Sequence, residues 1–189
     1  RSVADAVLAF QRRGGLVVGD EHLCPVVIPD VVLTTYKRDK TDAGKSKADL
    51  QAIAAKLRSE LDPFYTRYGQ SSDPDVVVRF RRHADTDYLF AVNDKREYGR
   101  YVGPHGRVLE KGLPHQATVT VNRPAGHAYD LVAHKTVPVT RKGGAISLDL
   151  GFGPGGGRLI MISPTPIDRV AIDAPARLAL GKSATIRIK

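Results

Sequence analysis

At Asp75 the hydrophobic period of this chain changes, and no other feature constrains its fold as strongly. Before that point apolar residues recur at helical spacing. After it they alternate, or gather in short runs between turn residues, as in an antiparallel β domain. Val76-Val77-Val78-Arg79-Phe80 and Asp87 to Asn93 read as a hairpin around Ala84-Asp85-Thr86. Arg107-Val108-Leu109 and Ala117 to Asn122 read as the next pair. Ala128 to Val132, Val137 to Thr140, Ala145 to Leu150 and Arg158 to Ser163 complete a set of about eight strands, which favours a β-sandwich. Gly143-Gly144 signals a tight turn. Gly153-Pro154-Gly155-Gly156-Gly157 lacks the lysine and hydroxyl of a phosphate loop and runs into a strand, so it reads as a loop between sandwich strands.

Upstream, Ser2 to Arg13 reads as a short helix capped by Ser2, with Val3, Val7 and Phe10 on one face and Gly14-Gly15 ending it. Leu16-Val17-Val18 follows as an apolar strand of the kind buried in parallel sheets. The stretch from Asp20 to Asp39 is loop-like, with one strand at Val31-Val32-Leu33. Asp42 to Leu61 is an amphipathic helix carrying Leu50, Ile53, Ala54, Leu57 and Leu61 on one face, and Pro63 marks its end. Gly69 to Pro74 reads as a polar connection between two parts. The fold class expected is therefore α+β and mainly β: an antiparallel β-sandwich preceded by an αβ fragment and one amphipathic helix. The division expected is 1–39 as the end of an α/β domain, 40–74 as helix and linker, 75–164 as the sandwich, and 165–189 as the start of a further β domain. A lone αβ unit cannot bury both its faces. With Arg1 rather than Met at the start and an unfinished strand pattern at Lys189, the sequence reads as an excerpt of a larger protein.

Hydrophobic residues make up 42% of the 189 positions, enough for a real core. No apolar run approaches the roughly 18 residues of a membrane span. The excess of 29 Lys+Arg over 20 Asp+Glu gives a net charge of +9, compatible with a polyanionic partner. The basic residues are spread along the chain, however, which fits a solvated surface better than a nucleic-acid patch.

Candidate chemistry is sparse. Asp20-Glu21-His22 follows a strand, where open α/β sheets place ligand groups, with Cys24 two residues on. Three adjacent side chains converge on one site only if the loop bends sharply, so a polar strand-to-loop junction and a bystander thiol are expected. His83, His105, His115, His127 and His134 form no short metal-ligand spacing and are expected in surface turns. No metal site, cofactor or complete catalytic site is indicated. The densest basic zone runs through Arg79, Arg81, Arg82, Lys95, Arg96 and Arg100. On a strand Arg79 and Arg81 share one face, and Tyr88, Tyr98 and Tyr101 lie nearby as stacking platforms. These five are the candidate ligand-binding residues. The competing expectation is an exposed sheet face whose arginines pair across strands with Asp85, Asp87 or Asp94.

The order Tyr129-Asp130-Leu131-Val132, Val137-Pro138-Val139, Gly143-Gly144-Ala145-Ile146-Ser147-Leu148 and Gly157-Arg158-Leu159-Ile160-Met161-Ile162 resembles the closing half of the C-terminal β-sandwich of bacterial glycoside hydrolases. Asp87 to Asn93 is similar to an early strand of that sandwich. Phe10 to Asp20 resembles the last helix and strand of the amidotransferase-like domain of bacterial β-galactosidases, and Ala171 to Ile188 the start of an immunoglobulin-like repeat. The resemblance implies a secreted or cell-envelope protein whose catalytic acids lie on a barrel outside this chain. The leading expectation is a non-catalytic structural or interaction module, partnered by neighbouring domains of the same polypeptide. The alternatives are accessory domains of a glycoside hydrolase, or a module binding a polyanion or glycan.

Overall fold

The computed structural model describes residues 2–20, 22, 27–33, 35–102 and 108–188. Helix α1 (Val3–Arg12) opens with a capping box, in which Ser2 and Asp5 each accept the other's backbone N–H. Strands β1 (Val18–Asp20) and β2 (Val31–Leu33) pair in parallel. Helix α2 (Ala43–Leu61) is capped by Asp42, whose carboxylate accepts the Lys45 N–H at 2.8 Å. There follow β3 (Gly69–Ser71), β4 (Val76–His83), β5 (Thr86–Asn93), β6 (Arg96–Val102), β7 (Val108–Gly112), β8 (His115–Val121), β9 (His127–Asp130), β10 (Lys135–Val137), β11 (Thr140–Lys142), β12 (Ala145–Phe152), β13 (Gly157–Ser163), β14 (Ile172–Asp173) and β15 (Arg187–Ile188).

The architecture is a β-sandwich with a small helical part. A five-stranded sheet in the order β10-β9-β13-β5-β4 faces a four-stranded sheet in the order β11-β12-β8-β3. Strands β5, β8, β9 and β12 bury every second side chain, as half-buried pleated strands must. Leu89, Ala91, Ala128, Ile160 and Ile162 from the first sheet meet Val119, Val121, Ile146, Leu148 and Leu150 from the second. The two sheets are also tied at both ends by polar groups. At one end Arg158 of β13 donates through Nε and Nη2 to the Gly151 carbonyl of β12 at 3.1 and 2.9 Å, and through Nη1 to Asp130 at 2.7 Å. At the other, Arg123, just beyond β8, reaches Asp87 of β5.

The structure departs from the sequence reading at several places. Arg107-Val108-Leu109 does not pair with Ala117 to Asn122. Val108–Gly112 pairs with β6, a strand the sequence did not reveal, while β8 lies between β12 and β3. Arg107 itself lies outside the described residues. Val137 to Thr140 is not one strand, because Pro138 offers no N–H to a ladder: the chain leaves the five-stranded sheet at Val137 and joins the other at Thr140. Gly69 to Pro74 is more than a connection, since β3 pairs with β8. Its Gly69 lies where any Cβ would come within 2.4 Å of the Phe80 ring. The apolar face of α2 is only partly covered: Leu50 is 49% exposed, Ile53, Leu57 and Leu61 are half-buried, and the buried residue on the helix is Ser46.

The turn signals hold. Gly143 and Gly144 both take positive φ, and Ala84 closes the β4–β5 hairpin at φ 51°.

Candidate functional site

The period-2 geometry of β4 and β5 places one set of side chains on the outer face of the five-stranded sheet. Three rows cross that face in register. Val77 stands opposite Val92, Arg79 opposite Phe90, and Arg81 opposite Tyr88. The last two rows continue onto Leu159 and Met161 of β13, and the last onto Tyr129 of β9. Val77, Val92 and Phe90 are each close to half exposed, so this is a flat apolar surface bordered by two cations. Among the described residues the Arg79 and Arg81 side chains make no hydrogen bond or ion pair.

Their sequence neighbours behave differently. Arg82 turns to the opposite face and pairs with its cross-strand partner Asp87, Nε to Oδ1 at 2.9 Å. Arg96 is held by Asp94 and Glu110. Of the cross-strand pairs expected, Arg82–Asp87 forms, whereas Arg96 meets Asp94 two residues away and Glu110 on β7; the Arg79 and Arg81 side chains join neither arrangement.

Of the five sequence candidates, Arg79, Arg81 and Tyr88 come together. Tyr98 does not: it lies on β6, where it lines a groove of about 490 Å³ with α2 residues Ser46, Leu50 and Gln51. Tyr101 is also on β6, in the separate β6–β7 sheet. Phe90 was missed, because within the run Leu89-Phe90-Ala91 an outward aromatic looks like one more core residue. Only the alternation Leu89-in, Phe90-out marks it.

The buried carboxylates are all consumed in ties. Asp87, 1% exposed, accepts from Arg82, from Arg123 at 2.6 Å and from the Tyr68 hydroxyl. Tyr68 in turn packs edge-on against Phe80 and lies under the Arg82 guanidinium. Burial works to raise the Asp87 carboxyl, but Arg82, Tyr68 and Arg123 outweigh it and hold it below the usual carboxylate range. Burial and the neighbouring carboxylate push the Tyr68 phenol up. Asp75 is similar: burial opposes ionisation, and ion pairs with Lys47 of α2 and Lys95 more than offset it. At Asp130, burial is outweighed by the Ala133 and Val132 amides and by Arg158. Carboxyls held low serve as fixed anions, whereas a general acid working near neutral pH needs the opposite shift.

The remaining candidates play local roles. Asp20 accepts the backbone N–H of His22 at 3.0 Å, a polar turn after β1; Glu21 and Cys24 lie outside the described residues. His105 does too. His115 is not in a turn but begins β8, with Nε2 3.0 Å from Asp73. His127 likewise begins β9 and His83 ends β4, both exposed or half-buried, while His134 occupies a turn at φ 50°. The Gly153 carbonyl accepts from Asn93 Nδ2 at 2.9 Å and from the Gly156 N–H at 3.0 Å, so that loop is braced as a strand connection. Among the described residues no group of three His, Cys, Asp or Glu could hold a metal ion, and no helix is long and apolar enough to cross a membrane.

No family model matches the chain, and no curated protein matches it. Among solved structures, alpha-L-fucosidase isoenzyme 2 from Paenibacillus thiaminolyticus is similar at 14% identity with a TM-score of 0.47. The match covers 66% of this chain and 19% of the enzyme, so the chain spans a minor part of the protein it resembles. A likeness this slight assigns no activity.

Proposed function

We propose that this chain is an interaction module, non-catalytic in itself, that positions neighbouring domains of a larger secreted or cell-envelope protein. The observation that carries this reading is a closed sandwich core flanked by segments that leave apolar side chains in water. Val3 and Phe10 on α1, Leu50 on α2, and Phe64 and Tyr65 after it are exposed, as are Val170, Ile172, Leu178, Leu180, Ile186 and Ile188 downstream. Segments that carry several large apolar side chains in water are fitted to contact with other protein. The pairing of every buried sandwich carboxylate in a structural tie supports the non-catalytic part of the reading.

The strand motifs of residues 129–162 support a glycoside-hydrolase context, with 1–39 and 165–189 belonging to the adjoining domains. Hydrogen exchange compares the isolated chain with the natural full-length polypeptide. Slower exchange across α1, α2 and residues 167–188 in the longer protein is the expected result. Equal exchange in both would sink the module reading. Paired acids on barrel strand ends in the natural polypeptide would support the hydrolase context, and their absence would remove it.

A further inference from the structure

Charged and aromatic groups gather at the groove beside Tyr98, in the Asp87 cluster and on the outer face of the five-stranded sheet. In the groove Lys47 pairs with Asp75, and Arg96 with Asp94 and Glu110, while the Asp87 cluster is closed on itself. The outer face is neither paired nor closed.

We infer that the two cation–aromatic rows Arg79–Phe90 and Arg81–Tyr88 form a binding site for an acidic oligosaccharide. Directly opposed residues on adjacent antiparallel strands have Cβ atoms about 5 Å apart, and rows two residues apart repeat at about 6.8 Å. The face therefore presents the same cation-beside-ring unit twice, side by side. A ligand matching it has flat apolar ring faces in series, each carrying its negative charge on the ring itself.

Uronic acids have that form. The C–H face of the pyranose stacks on the aromatic ring, and the ring-borne carboxylate meets the guanidinium. Single-stranded nucleic acid fits less well, because its phosphates are separated from the stacking bases by the ribose. An acidic peptide supplies carboxylates but no ring faces. The rows themselves carry no acidic residue to compete for either arginine. Leu159, Met161 and Tyr129 extend the apolar floor beyond the aromatic pair. A guanidinium–carboxylate contact at an exposed site is weak alone, so the site depends on both rows acting together.

The test is a titration of the isotope-labelled 189-residue chain, followed by amide chemical shifts, with a galacturonic-acid tetrasaccharide and its fully methyl-esterified form. The ester keeps the rings and removes the charge. The acid is expected to shift the amides of β4 and β5. Its affinity should fall about tenfold for the ester, and by a similar factor in Arg79→Gln with Arg81→Gln and in Tyr88→Leu with Phe90→Leu. Arg79, Arg81 and Phe90 are exposed and Tyr88 is half-buried, and thermal unfolding of each variant checks that the fold is kept.

Four results would each overturn the assignment: no shift with the acid, equal binding of the ester, binding that survives loss of the aromatic pair, or equally tight binding of an eight-residue oligothymidylate or of oligoglutamate. The last would make the face a general polyanion surface.

Discussion

Asp87 and Arg123 meet across the sandwich, Oδ2 to Nη1 at 2.6 Å, with the carboxylate 1% and the guanidinium 13% exposed. One residue belongs to the five-stranded sheet and the other follows a strand of the four-stranded sheet, so the ion pair closes that end of the core. Removing one member leaves the other charged and desolvated. Asp87→Ala is expected to cost about 3 kcal/mol in urea unfolding. Arg82→Ala should cost well under half of that, since the Arg82 side chain is 56% exposed and water replaces it.

Stability should fall on the acid side. Asp75, Asp87 and Asp130 all hold their protons less tightly in the folded chain than carboxyls normally do. The unfolded chain, with carboxyl pKa values of about 3.9, therefore binds more protons at low pH. Their contribution is complete above about pH 5 and drains away as the pH drops through 4 towards the lowered folded values. Urea midpoints measured between pH 7 and pH 3 should be level and then decline. Asp87→Asn should flatten the decline, and a midpoint that rises on acidification would contradict the assignment.

Asp75 connects α2 to the sandwich, accepting from Lys47 and, at 3.3 Å, from Gln51 of the helix, and from Lys95 at 3.1 Å. With the apolar stripe of α2 at most half-buried, these polar contacts contribute to its docking. Asp75→Ala should speed amide exchange in α2 by about tenfold while leaving β12 and β13 protected. Equal loss of protection throughout would show that helix and sandwich open as one unit.

Ala84 takes φ 51° in the β4–β5 turn, a region costly for any residue with a Cβ. Ala84→Gly is expected to raise stability by about 0.5–1 kcal/mol in the same urea assay, because the strain relieved exceeds the extra freedom glycine gains on unfolding.

Much of the sandwich was legible because one buried face imposes strict alternation. Leu89, Ala91, Ile146, Leu148, Ile160 and Ile162 all announce themselves this way. Strand β6 did not, since Arg96-Glu97-Tyr98-Gly99 pairs only with β7 and carries no apolar alternation to read. Arg79 and Arg81 were placed on one face by strand spacing. Tyr88, Tyr98 and Tyr101 were grouped with them through nearness in sequence, which says nothing about which sheet a residue joins, and of the three Tyr88 shares their sheet. The Asp87–Arg123 pair spans 36 positions, and no local pattern foretells it.

The strand order has a consequence for synthesis. Gly157–Ser163 comes last among the sandwich strands yet sits between β5 and β9, in the middle of its sheet. Until those residues leave the ribosome, β5 lacks its neighbour on one side and β9 cannot join the sheet. A nascent chain ending at Phe152 should therefore remain protease-sensitive, and one extended past Ser163 should become resistant in a single step. The sandwich is completed by insertion rather than by growth from one edge, so its native pairing waits on its last strand.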